Sequence, residues 1–217
     1  MKKPGEIKGT HQQPPHDGKP PRYFECPNCG FLTASERFGS GDTECPICHA
    51  RTDGRRTFPN EHLRRLDERI RHYEAAGESE IVVILAETFL EAILEDILDR
   101  MLSTRGADVV VREVVLDGQR AIGARIGRIF PQLSGEEFEH AASELGYHDF
   151  PRRWREVRQA RNSFIHDSPF KGSRDSLDAK MAAQAMELLD QAYRLFVSLN
   201  NRFVAKSEPA SPFSERA

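Results

Sequence analysis

The chain has 217 residues, 38% of them hydrophobic and 30% charged, and a net charge of −3. That length allows one good core plus one small extra module, and the balanced charge excludes nucleic-acid binding through bulk charge, leaving only local clusters. The longest apolar run, "IVVILA" at 81–86, is six residues, far short of the roughly 20 a membrane span needs; residues 1–22 carry no apolar signal region, so the expected location is the cytoplasm.

Residues 1–22 are rich in Pro, Gly, Lys and His and are predicted to be disordered. Residues 23–56 hold all four cysteines, as Cys26-x2-Cys29 and Cys45-x2-Cys48 with fifteen residues between the pairs. In a cytosolic chain this pattern reads as a metal site and not a disulfide framework. Two such pairs, each on a tight turn whose amides stabilise thiolates, suit one tetrahedral four-thiolate ion. Gly30 supplies permissive backbone after the first pair, and His49 takes the matching place after the second. "CPNCGF" and "CPIC" resemble the knuckles of a zinc ribbon or rubredoxin-like module. Zinc is the expected metal, with iron in an electron-transfer knuckle as the alternative. A module this short depends on its ion to fold; it is expected either to be held by zinc and no more, or to assist in gripping nucleic acid or a partner protein. Arg51, Arg55, Arg56, Arg64, Arg65, Arg69 and Arg71 outnumber the acids at the following junction, which suits either phosphate contacts or a solvated helix face. His11, His16, His62, His72, His140 and His148 show no ligand-like spacing and are expected on the surface.

Residues 57–204 read as helical. Leu63, Leu66, Ile70 and Tyr73 mark a first helix ending at Gly77. Ser79 is expected to cap a second, running to about 103, apolar nearly all round in its first half and so central in a bundle. The stretch "ADVVVREVVL" (107–116) is ambiguous between a strand and a short helix. Ile122, Ile126 and Ile129 mark another helix, expected to stop at Pro131. Ser134 and Glu137 form a candidate capping box for a helix through Leu145, terminated by Gly146. Asp149 caps the next, with Pro151 in its first turn. The last helix spans roughly 175–204, with Leu177, Met181, Leu188, Leu195, Leu199 and Phe203 among its buried positions. Residues 205–217 are expected to be a disordered tail. The fold class is mainly all-α, preceded by a small four-cysteine module.

The helix entering "RQARNSFIHDSP" (158–169) divides into two stripes at about 100° per residue. Trp154, Val157, Phe164 and Ile165 define the apolar one, and Arg161 falls inside it. Arg155, Gln159, Asn162 and His166 define a polar one. Pro169 limits the helix, which leaves His166 in or just past the last turn, where free carbonyls favour a cationic side chain. Arg161 is either ion-paired at the core rim, with Glu87 and Glu91 available as partners, or a working residue.

"RNSFIH" resembles the R-x4-6-H motif of the HEPN superfamily (higher eukaryote and prokaryote nucleotide-binding domains). "SEIVVILAETFLEAILEDIL" resembles that family's earlier core helix, and the likeness covers roughly residues 60–204. It implies a HEPN-like bundle, and many members are metal-independent endoribonucleases acting as homodimers. Carried over, Arg161, Asn162 and His166 form the catalytic set and Arg155 and Arg158 contact substrate, with RNA as partner and no metal in the chemistry. An RNA 2′-OH can attack its own phosphate, an imidazole moves protons near neutral pH, and an arginine neutralises charge on the phosphoryl oxygens. Arg161 and His166 do not share a face, which points to a site completed by a second subunit, with the apolar stripe at the interface. An antitoxin or regulatory protein is a candidate partner. The alternative is a non-catalytic HEPN-like module that binds nucleotides or proteins.

Overall fold

The computed structural model describes residues 22–51, 55–166 and 177–205. Most of the two terminal segments expected to be disordered lies outside these residues, as does 167–176 after the motif helix. Arg22, placed in the disordered part by its sequence, stacks its guanidinium 5.1 Å from the centre of the Phe24 ring.

Three short strands and one helical turn build the cysteine region: β1 (Tyr23–Glu25), β2 (Leu32–Thr33), α1 (Glu36–Gly39) and β3 (Arg56–Phe58). The sheet is antiparallel in the order β2-β1-β3, with Glu25 opposite both Leu32 and Arg56. Strand alternation sends neighbouring side chains to opposite faces. Tyr23 therefore joins Leu32 and Phe58 in the helical core, while Phe24 packs with Cys26, Cys29, Phe38 and Cys45. The sheet is a shared wall between a large core and a small one. At Gly39 a Cβ would stand 2.5 Å from the Phe24 ring, so a side chain there would force α1 off β1.

The helices follow their sequence signals, with three local departures. α2 (Glu61–Ala75) is capped by Asn60, whose side-chain oxygen accepts from the Leu63 N–H at 3.0 Å, and the chain turns at Gly77 with φ +75°. α3 (Ser79–Ser103) is the central helix and packs against α2 and the later helices. Ser79 is its first residue and not its cap: Glu78 holds that position without a side-chain bond. The ambiguous valine stretch is helix, α4 (Val109–Gly118), because Asp108 caps it through the Val111 N–H at 2.8 Å and Leu116 is buried on the bundle.

Pro131 does not stop the next helix. α5 (Ile122–Ala124) runs through a π turn at Arg125–Ile129 into α6 (Phe130–Ser134), with the Phe130 N–H bonded to the Arg125 carbonyl. The wider turn shifts the carbonyl register just before the residue that lacks an N–H, and Pro131 sits in the first turn of α6, where it is tolerated. The stop is Gly135, with φ +83°. No capping box forms at Ser134. Its hydroxyl donates to the carbonyls of Phe130 and Glu136 at the end of α6, and α7 (Phe138–Glu144) starts from Glu137 without a side-chain cap. Gly146 ends that segment as expected, with φ +87°.

α8 (Phe150–His166) begins after Asp149, whose carbonyl accepts from the Arg153 N–H at 3.0 Å. α9 (Ala179–Phe203) is capped by Asp178 through the Met181 N–H at 2.9 Å and lies along α3 and α8. Leu188, Leu195 and Leu199 are fully buried on it, and Leu177 is buried just before it. Across the α2–α9 contact, Tyr193 donates to the buried Asp67, and Arg71 bridges Asp67 and Asp190 at 2.8 Å to each. Among the described residues no helix is long and apolar enough to cross a membrane.

Candidate functional site

Two knuckles of matching geometry bring the four cysteines together. In the first, the Gly30 N–H bonds to the Cys26 carbonyl and the Cys26 N–H to the Phe31 carbonyl. In the second, the His49 N–H bonds to the Cys45 carbonyl and the Cys45 N–H to the Ala50 carbonyl. Gly30 and His49 are both left-handed, at φ +74° and +57°, the pairing expected from their places in the sequence. The four sulfurs lie within 4.8 Å of one another, with Cys26 to Cys48 at 3.7 Å and Cys29 to Cys45 at 3.5 Å. These separations exclude disulfides and approach the ~3.8 Å edge of a tetrahedron with metal–sulfur bonds of about 2.3 Å. Three of the cysteines are buried, and the donor set is compatible with one thiolate-bound ion.

The second candidate centre is the outer half of α8. Trp154, Val157 and Ala160 are buried against the bundle, Phe164 is half-buried and Ile165 is exposed. The last turn of α8 thus rises out of the core, and Ile165 does not belong to the buried stripe. Arg161 does. Its Nε lies 3.9 Å from an Oε2 of Glu87 on α3, a residue with no exposed surface, and its Nη1 donates to Asn162 Oδ1 at 2.9 Å. The Arg161 side chain is a quarter exposed while its Nε is buried, so it spans the boundary between core and solvent. This intrachain partner accounts for an arginine on the apolar stripe without a second subunit.

Glu87 has neither oxygen hydrogen-bonded among the described residues. Burial pushes its carboxyl up to about 7, and the Glu91 carboxylate one turn on adds to that, against the pull of Arg161 and Arg158. Asn162 and His166 are exposed on the adjoining face, and Asn162 is bonded to Arg161 rather than to His166. Arg158 is half-buried between the two stripes and near enough to Glu87 to act on its charge. Arg155 turns the other way and pairs with Glu139 on α7 at 3.1 Å. The structure thus gathers Arg158, Arg161, Asn162 and His166 at one end of α8, and ties Arg155 to α7.

The junction arginines do not form a free cationic surface. Arg51 pairs with Glu44, Arg64 and Arg65 with Glu61, and Arg71 with Asp67 and Asp190. Arg55 stacks 3.8 Å over Phe38 and donates to the carbonyls of Phe38 and Thr43. Arg56 and Arg69 are left without an ion pair among the described residues.

His62, His72, His140 and His148 are all on the surface or near it. One grouping escaped the sequence reading: Glu136, His140 and Glu144 sit at successive i, i+4 positions, and their ligand atoms lie within 4.8 Å of one another. Arg202 already pairs with both carboxylates, so the cluster serves as a clasp between α7 and α9. Comparison with models of protein families, with curated proteins and with solved structures finds no match for this chain.

Proposed function

We propose that the chain is a HEPN-type endoribonuclease that needs no metal for its chemistry, with Arg161 and His166 as the reacting pair and the four-cysteine module as a zinc-bound structural unit. The observation that carries this reading is the arginine held at the core boundary by Glu87 and Asn162, with the exposed His166 five residues further along the same helix. An arginine oriented at both edges is set to meet a phosphoryl oxygen without the cost of ordering a free side chain.

In the proposed reaction the 2′-OH of RNA attacks the adjacent phosphorus and the 5′-oxygen leaves, giving a 2′,3′-cyclic phosphate and a 5′-hydroxyl. His166 transfers a proton, Arg161 balances charge on the non-bridging oxygens, and Arg158 and Asn162 hold the backbone. Five residues at 100° place Arg161 and His166 about 140° apart around α8. A homodimer that apposes two such helices supplies the second histidine that acid and base roles call for. Cys26, Cys29, Cys45 and Cys48 would hold zinc, which supplies cross-linking of the two knuckles and takes no part in the cleavage.

The test is cleavage of a mixed RNA by the full chain in EDTA, with its bound metal verified before and after. Cyclic phosphate ends are expected, with loss of at least a hundredfold in rate for both His166→Ala and Arg161→Ala. A second reading, a HEPN-like module that binds nucleotides or proteins without cleaving, is favoured by the Arg161–Glu87 pair itself, which would serve folding alone. Under that reading no cleavage is seen and both variants still bind ligand.

A further inference from the structure

We propose that the outward face of α4, together with the acidic groove between α3 and α4, docks a basic amphipathic helix of a partner protein. This inference does not depend on the ribonuclease reading. Val109, Val110, Val111 and Val114 are 56%, 67%, 48% and 66% exposed, and they make up four of the five exposed large hydrophobic residues among those described. Valine is not a good helix former, and a solvated helix face has no use for four of them on one ten-residue helix. Clustered exposed apolar surface of this kind marks a contact site.

The helix cannot simply roll these valines inward. Leu116 and Val115 already fill its inner face, Arg112 pairs with Asp99 on α3 at 2.6 Å, and Asp108 fixes the first turn. Beside the valines runs a groove of about 220 Å³ lined by Glu95, Asp96, Asp99, Glu113, Leu116 and Asp117. On its α3 wall Arg125, Arg100 and Arg112 meet Glu95, Asp96 and Asp99. On the α4 lip the acids remain available: Glu113 has no ion pair among the described residues, and Asp117 has only an exposed Arg120 at 3.7 Å. At 100° per residue, Glu113 and Asp117 lie between the groove and the Val110/Val114 stripe.

The occupant this surface fits carries apolar residues at helical spacing with lysine or arginine along one flank. Nucleic acid and anionic membranes are repelled by the lip. A second copy packed face to face would set Glu113 near its own counterpart across a two-fold axis, which is unfavourable. Residues 1–21 of this chain are basic, with Lys2, Lys3, Lys8 and Lys19, but offer only Met1 and Ile7 as large aliphatic residues.

The probe is a labelled eighteen-residue peptide with leucines at i, i+3, i+4 spacing and lysines beside them, titrated with the full chain by fluorescence anisotropy. A second peptide keeps the leucines and replaces lysine by glutamate. The lysine peptide is expected to bind, at least tenfold more tightly than the glutamate one. V110S/V114S should weaken it at least tenfold, and E113Q/D117N at least threefold with a flatter salt dependence, all four positions being surface ones with circular dichroism as the check on folding. Equal binding of both peptides, unchanged binding by folded V110S/V114S, or no binding of the lysine peptide overturns the proposal. So does sedimentation showing a dimer that V110S/V114S dissociates, which would assign the face to a second copy.

Discussion

A carboxylate with no exposed surface is costly to keep charged, and Glu87 is such a group, its burial offset in part by Arg161 at 3.9 Å and by Arg158. Its folded carboxyl titrates at about 7, above its ordinary value of 4.5. Between those values the folded chain binds more protons at this site than the unfolded chain, so this group's contribution to stability is full below pH 4.5 and is lost as pH rises through 7. The span corresponds to on the order of 3 kcal/mol. Thermal melts of Glu87→Gln are expected to decline less steeply between pH 5 and 8 than those of the parent chain, and parallel curves would show that Glu87 does not titrate in this range. Glu87 was legible in the sequence as one of two candidate partners for Arg161, with Glu91, because both border the apolar face of the central helix. Asp67 was not: its partner Tyr193 lies 126 residues away, and no local pattern links them.

At the scale of elements, helix ends set by glycine are readable because the cause is local: Gly77 and Gly146 need only their own backbone. The π turn is not, since it depends on where Phe130 and Ile129 must point to reach the core. The cysteine module is the most legible element. Its spacing, its two left-handed residues and its four converging sulfurs are all compatible with one constraint, a single ion held between two knuckles. Its own core is small, Phe24 and Phe38 with the cysteines and the partly buried Phe31 and Ile47, so a bound ion would add much to its stability. Cys29→Ser is expected to lose the bound metal, measured by elemental analysis, and to lower the melting temperature by about 10 °C, corresponding to a few kcal/mol for a chain of this size. A metal-free variant that melts with the parent would contradict this.

For the whole molecule, the sequence suggested an accessory module followed by a bundle, yet the structure joins them. Asn201 at the end of α9 accepts from the Leu32 N–H and donates to the Leu32 carbonyl, both at 2.8 Å, and Asn200 donates to the Gly30 carbonyl at 2.8 Å. Arg100 of α3 pairs with Glu25 at 3.0 Å and lies 5.2 Å from the centre of the Phe58 ring. The C-terminal turn of α9 therefore grips the first knuckle directly, a contact between residues 169 positions apart that no periodicity encodes. Asn201→Ala should cost about 2 kcal/mol through two lost bonds and speed hydrogen exchange at the Leu32 amide; unchanged exchange there would show that the contact does not hold the module. The motif end of α8 is not among these contacts, so loss of RNA cleavage in Arg161 and His166 variants can be read apart from the module's integrity. The most direct measurement is end-group analysis of an RNA cut by the full chain, beside the same strand with a 2′-deoxy nucleotide at the cut position. The first strand is expected to give 2′,3′-cyclic phosphate ends, the second no cut at the substituted position, and His166→Ala no cut in either. Cleavage of the 2′-deoxy strand at the same position, or unchanged cleavage by His166→Ala, would contradict the proposed reaction.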